Sequence, residues 1–131
     1  MEKKILIIDD DEIMLFLHQT IVEDLFPTRP SISFKSGKLA YDYVLKNEGA
    51  EFLLFLDINM PDMNGWQLLD LLVDLPYRSQ LTVIMVTSSV NNSDKLKSYN
   101  YPLIKGFLTK PLRISDLEGM SIDPQFGSFF T

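Results

Sequence analysis

Short apolar runs alternate along this chain with longer stretches in which apolar residues recur every three or four positions. Residues 5–8 (Ile-Leu-Ile-Ile), 52–56, 81–86 and 105–108 read as strands, with 31–34 a weaker second strand in chain order. The run 52–56, Phe-Leu-Leu-Phe-Leu, is apolar throughout, as a strand covered on both faces should be. Ile13, Phe16, Leu17, Ile21 and Leu25 fall at spacings of three and four and predict a first helix with those residues inward, ending before Pro27. Ser36 is placed to cap a second helix with Ala40, Tyr41, Val44 and Leu45 on its inner face. Residues 60–65, Met-Pro-Asp-Met-Asn-Gly, form a turn in which Pro61 sets one backbone angle and Asn64-Gly65 supplies permissive ones. A third helix starts near Gly65 with Leu68, Leu69 and Leu72 inward; residues 93–99 predict a short polar helix and 114–120 a short last one. This alternation predicts an α/β domain, a parallel sheet with helices on both faces.

Composition narrows the classes of function. At 131 residues the chain is long enough for one domain with its own core. No apolar stretch approaches the roughly 20 residues of a membrane span, and the start Met-Glu-Lys-Lys-Ile-Leu-Ile-Ile-Asp-Asp has no signal-peptide pattern. Cysteine is absent, which excludes disulfides and thiolate metal sites, and a cytoplasmic location with no membrane insertion is expected. With a net charge of −6 and twelve dispersed basic residues, direct nucleic-acid binding is not expected. The tail, residues 121–131, carries Phe126, Phe129 and Phe130. Folding back on the body is the favoured reading, a partner site the other.

The chemistry-bearing residues sit at strand ends. Asp9-Asp10-Asp11 follows the first strand, Asp57 ends the third, Thr87-Ser88-Ser89 follows the fourth and Lys110-Pro111 the fifth. Ligands of open parallel sheets bind beyond the carboxyl ends of the strands. Singly these residues are ordinary: Asp11 reads as a helix N-cap, Thr87 as a strand end, and Lys110 as a solvated lysine. Together they form an acidic cup with one fixed cation. Three carboxylates this close repel unless a cation sits among them, and an oxygen-only set selects Mg²⁺ or Mn²⁺. The metal, the Lys110 ammonium and the Thr87 hydroxyl would surround a phosphoryl group, with Asp57 as a nucleophile able to form an acyl phosphate. His18, the one histidine, lies a residue off the first helix's apolar stripe and reads as a surface residue. Trp66 reads as a partly buried packing residue, Met60 and Met63 as loop-shaping residues. Tyr99 and Tyr101 fit equally an output face or a cover for the sheet edge.

Four segments in this order resemble the receiver domain of two-component response regulators: Ile-Leu-Ile-Ile-Asp-Asp-Asp (5–11), Leu-Asp-Ile-Asn-Met-Pro-Asp-Met-Asn-Gly (56–65), Val-Thr-Ser (86–88) and Phe-Leu-Thr-Lys-Pro-Leu (107–112). The similarity covers residues 3 to about 119. It implies a three-layer, doubly wound, flavodoxin-like (β/α)5 fold with strand order 2-1-3-4-5, residues 1–120 as the receiver and 121–131 as a tail with no separate output domain. It implies that Asp57 is the phosphoacceptor, taking its phosphoryl group from a sensor histidine kinase or a histidine phosphotransfer protein. Asp10 and Asp57 would bind Mg²⁺ through their side chains and Asn59 through its backbone carbonyl, with Asp9 in support. Lys110 would pair with the phosphoryl oxygens, and the Lys110-Pro111 peptide is expected to be cis. Thr87 is the switch hydroxyl and Phe107 the switch aromatic, here without the hydroxyl of a tyrosine. The resemblance further implies a protein that catalyses only its own phosphorylation and dephosphorylation, and that is a monomer or a weak phosphorylation-dependent dimer acting on an unidentified downstream protein.

Two other functions compete. A metal-dependent phosphatase with an aspartyl nucleophile would carry a second acidic residue two positions on, where Asn59 stands, and the chain has no cap insertion. A degenerate receiver working without phosphorylation is disfavoured by the complete set Asp9, Asp10, Asp57, Thr87 and Lys110. By the resemblance, Asn59 and Ser89 tune the acyl-phosphate lifetime, and neither is acidic. Ready phosphorylation without fast self-hydrolysis is expected; a lifetime of a few seconds, read by phosphate release, contradicts it.

Overall fold

The computed structural model describes residues 1–88 and 91–131. Five strands, β1 (Lys3–Ile8), β2 (Ser31–Phe34), β3 (Glu51–Asp57), β4 (Leu81–Thr87) and β5 (Ile104–Thr109), form one parallel sheet in the order β2-β1-β3-β4-β5. Between and after them run α1 (Glu12–Leu25), α2 (Gly37–Lys46), α3 (Gly65–Leu72), α4 (Asn92–Ser98) and α5 (Ile114–Ile122). The architecture is the expected three-layer α/β sandwich.

Side chains of a strand alternate between faces, so each central strand feeds two cores. On one face Leu6, Ile8, Phe52, Leu54, Leu56, Val83 and Met85 pack with Ala40 and Val44 of α2 and Leu68, Leu69 and Leu72 of α3. On the other, Ile5, Ile7, Leu53, Phe55, Ile84 and Val86 meet Leu15 and Val22 of α1 and Leu117 and Met120 of α5. The apolar run of β3 is thus a consequence of its central place.

Helix starts follow their caps. Asp11 caps α1, its carboxylate accepting from the amides of Ile13 and Met14, and Ser36 caps α2 through Leu39. Asn64 and Gln67 form a reciprocal capping box at the start of α3.

The inward faces differ from expectation in two helices. In α1 the buried residues are Leu15, His18 and Val22, while Ile13 and Phe16 are 77% and 74% exposed. The helix carries apolar residues on several faces, so spacing alone admits more than one stripe; of the expected one, Ile21 and Leu25 pack partly buried against the core. In α2 Ala40 and Val44 are buried, but Leu45 is exposed. The turn after β3 also works differently. Its left-handed residue is Asp62, at φ 65°, not Gly65. Gly65 is needed for proximity: a Cβ there would stand 2.6 Å from the Asp57 carbonyl oxygen.

The Phe-rich tail folds back, as favoured. Phe126, Phe129 and Phe130 are buried in the core shared by α1 and α5. The rings of Phe26 and Phe130 lie 4.7 Å apart, the Lys3 ammonium sits 5.2 Å over the Phe129 ring, and the Arg29 guanidinium donates to the Thr131 and Lys3 carbonyls. Lys3 opens β1, so the Phe129 ring lies beside the start of that strand. Truncating Phe129 to alanine is expected to cost about 3 kcal/mol of stability in equilibrium urea unfolding; a loss below about 1 kcal/mol would show that the tail rests on the body without stabilising it.

Candidate functional site: an acidic cup at the strand ends

Strand register builds the site. Ile8 pairs with Leu56, which puts Asp9 beside Asp57. Asp57 pairs with Val86 and Thr87 with Thr109, so Thr87 and Lys110 follow at the same level. The Lys110 amide donates to the Thr87 carbonyl oxygen at 2.8 Å and continues this alignment one residue past the sheet. Carboxylate oxygens of Asp9, Asp10 and Asp57 all lie within 4.8 Å of one another.

Asp9, Asp57 and Thr87 are buried, whereas Asp10 is exposed at the rim. The Lys110 ammonium reaches over them, 2.7 Å from Asp9 Oδ2 and 3.1 Å from Asp57 Oδ1. The other oxygen of Asp9 accepts the Asp11 amide at 2.9 Å, so Asp9 is held at both oxygens. The Lys110-Pro111 peptide is cis, as expected.

The electrostatic balance is incomplete. Burial and the neighbouring Asp9 charge push the Asp57 carboxyl up to about 6, and the Lys110 ammonium and the Asn59 backbone hydrogen bond only partly offset them. Burial lowers the Lys110 ammonium, yet hydrogen bonds to Asp9 and Asp57 outweigh it and leave the group above its ordinary value. One cation facing three carboxylates leaves negative charge in a poorly solvated place. Oxygen-only donors this close fit a hard divalent ion, which keeps part of its own water shell.

The other expected residues fall as follows. Asn59 is exposed just after Ile58 at the mouth of the cup. Phe107, on β5, is half-buried against the core that α2 and α3 cover, and it lines a groove of about 600 Å³ with Lys95, Tyr99, Ile104 and Lys105. Ser89 lies outside the described residues. Trp66 is buried, its ring 5.4 Å from that of Tyr101 and 4.8 Å from the Lys97 ammonium. Tyr99 is 83% exposed, while the Tyr101 hydroxyl donates to Asp70.

His18 overturns its expectation. It is 2% exposed, and its Nε2 accepts the Leu112 amide at 3.0 Å. Burial holds the imidazole below its ordinary value. The spacing Leu15–His18–Val22, three then four, was the available signal; a histidine in place of a third aliphatic residue hid it.

Residues 5–121 match the family model of the response regulator receiver domain. The chain is 31% identical over 121 residues to stress response regulator protein 1 of Candida tropicalis, an alignment covering 92% of this chain and 45% of that protein. Among solved structures, a two-component response regulator from Cytophaga hutchinsonii superposes with a TM-score of 0.80 at 29% identity, covering 90% of this chain and 92% of that one. One from Legionella pneumophila gives 0.80 at 27%, covering 90% and 94%. The chain spans less than half the length of the curated relatives it matches.

The raised Asp57 carboxyl has a consequence for stability. The folded protein keeps a proton on Asp57 up to about pH 6 that the unfolded chain releases near pH 4, so stability falls as pH rises through that window. Asp57→Asn removes this loss and leaves Lys110 paired with Asp9. Without divalent ions the variant is expected to exceed the parent by on the order of 2 to 3 kcal/mol above pH 6, and by nothing below about pH 4. Urea unfolding in EDTA at the two pH values reads this; equal stability of parent and variant above pH 6 would refute the cost of ionising Asp57 in this site.

Proposed function

The chain belongs to the response regulator receiver family, and on that premise we propose that it is a phosphorylation-controlled interaction switch with Asp57 as the phosphoacceptor. Receiver domains are signalling modules of two-component systems, partnered by histidine kinases or histidine phosphotransfer proteins. The observation that carries the reading is the meeting of three carboxylates within 4.8 Å under a lysine bonded to two of them.

The chemistry follows from these groups. An Asp57 carboxylate oxygen attacks the phosphorus of a phosphohistidine; the O–P bond forms as the P–N bond breaks, and the imidazole leaves with the electron pair and takes a proton from solvent. Asp10 and Asp57, with the Asn59 carbonyl and Asp9 in support, would hold Mg²⁺, whose charge stabilises the phosphoryl oxygens when it is bound. Lys110 already lies beside the accepting oxygen and turns from carboxylates to phosphoryl oxygens with little travel. The ionised form of Asp57 is the nucleophile, and burial and Asp9 push this carboxyl up to about 6, so a bound divalent ion would also favour its reactive form.

Thr87 stands next in the cup and offers a hydroxyl to the new dianion. Its movement leaves room toward which the Phe107 ring can turn from the groove it lines. The element best placed to respond is α4, because none of its seven residues is buried and Leu96 is 66% exposed. Partners would read the altered surface of α4 and β5.

Incubation with Mg²⁺ and acetyl phosphate is expected to add one phosphoryl group by intact mass, with no gain in Asp57→Asn or in EDTA. Thr87→Ala should still take up the group but lose the change in amide chemical shifts of α4 and β5. Labelling that survives Asp57→Asn, or needs no divalent ion, would overturn the assignment.

A further inference from the structure

Among the described residues, five polar or charged ones are buried: Asp9, Asp57 and Thr87 in the cup, Ser31 at the start of β2, and His18. His18 is a titratable group deep in α1 that the chemistry above does not use. A leucine there would avoid the cost of burying an imidazole, so its contact calls for a physical reason.

That contact is the Leu112 amide. β5 ends at Thr109 and α5 begins at Ile114, so this N–H belongs to neither sheet ladder nor helix, and Pro111 before it has no N–H to offer. Leu112 is itself buried. The segment that carries Lys110 is therefore fixed at two points. On one side the Lys110 amide donates to the Thr87 carbonyl at 2.8 Å; on the other the Leu112 amide donates to His18 Nε2 at 3.0 Å. Between these anchors the Lys110 side chain runs to Asp9 and Asp57.

We propose that His18 is a positioning residue for phosphoryl transfer: its unprotonated Nε2 holds the Leu112 amide and so sets where the Lys110 ammonium stands over Asp57. The proposal rests on Asp57 as phosphoacceptor. Only a neutral imidazole can accept at Nε2, and burial keeps it neutral, the Asp9 carboxylate favouring the proton and the Lys110 ammonium opposing it. The same bond ties α1, which begins at the Asp11 cap directly after the metal-binding aspartates, to the loop bearing the cation. One buried contact thus links the two charged sides of the cup. A misplacement of the ammonium by about 1 Å is of the size that slows transfer by roughly one to two orders of magnitude.

The test compares the parent, His18→Leu and His18→Gln. Leucine keeps apolar volume and removes the acceptor, while glutamine restores an acceptor oxygen at a similar reach. With acetyl phosphate at saturating Mg²⁺, His18→Leu is expected to phosphorylate about tenfold to a hundredfold more slowly and His18→Gln to recover most of that rate. Mg²⁺ affinity by calorimetry should stay the same in all three, because the carboxylates are untouched. A parent rate in His18→Leu, equal slowing in both variants, or Mg²⁺ affinity falling in step with rate would each overturn the proposal in favour of plain packing. Should His18→Leu fail to fold, the nitrogen–nitrogen coupling across the hydrogen bond in labelled parent decides: coupling between the Leu112 amide and His18 Nε2 is expected, and its absence overturns the contact. A parent that takes no phosphoryl group removes the phosphoacceptor reading itself, and the positioning role with it.

Discussion

Three carboxylates meet at one end of a parallel sheet, and the two that are out of water share the Lys110 ammonium. Every other feature of the cup follows from keeping that arrangement. Burial first, and the like charge of Asp9 second, push the Asp57 carboxyl up to about 6 despite a lysine at 3.1 Å. The fold holds the groups together because the strands that carry them are locked by two cores. Register between β1, β3 and β4 leaves no freedom to slide Asp9 away from Asp57, since a shift of one residue would turn buried leucines and isoleucines to the wrong face. Gly65 shows how tight the packing is, with its backbone against the Asp57 carbonyl.

The molecule divides into a fixed side and a loosely held side. α1, α5 and the tail aromatics close one face of the sheet. On the other face α2 and α3 are packed by leucines and valines, while α4 contributes no buried residue and touches the body through contacts such as Lys97 over Trp66. On the proposed reading, a charge added at the cup would act through Thr87 and β5 toward α4. The lysine side is held firmly, through Thr87 at one amide and His18 at another.

Most of this was legible in the chain because continuous apolar runs and strand-end chemistry are local signals. The continuous apolar run ending at Asp57 marks a strand covered on both faces, and the caps Asp11 and Ser36 mark two helix starts. What was not legible depends on tertiary choice. α1 carries apolar residues around much of its circumference, so the sheet, not the spacing, decided that Leu15, His18 and Val22 face inward and that Ile13 and Phe16 face water. His18 was misjudged for the same reason, as its partner is a backbone amide 94 residues away, with no side-chain pattern to announce it. The Asn64-Gly65 pair was read as supplying the permissive angles of the turn, but the left-handed residue is Asp62, and Gly65 answers a contact invisible in one dimension.

Diffraction from crystals grown with Mn²⁺, using its anomalous signal, measures the central arrangement most directly. A single strong peak coordinated by Asp10 and Asp57 oxygens and the Asn59 carbonyl, with the Lys110 ammonium still beside Asp57, is the predicted result. An empty cup at saturating Mn²⁺, or the three carboxylates turned apart, would contradict it.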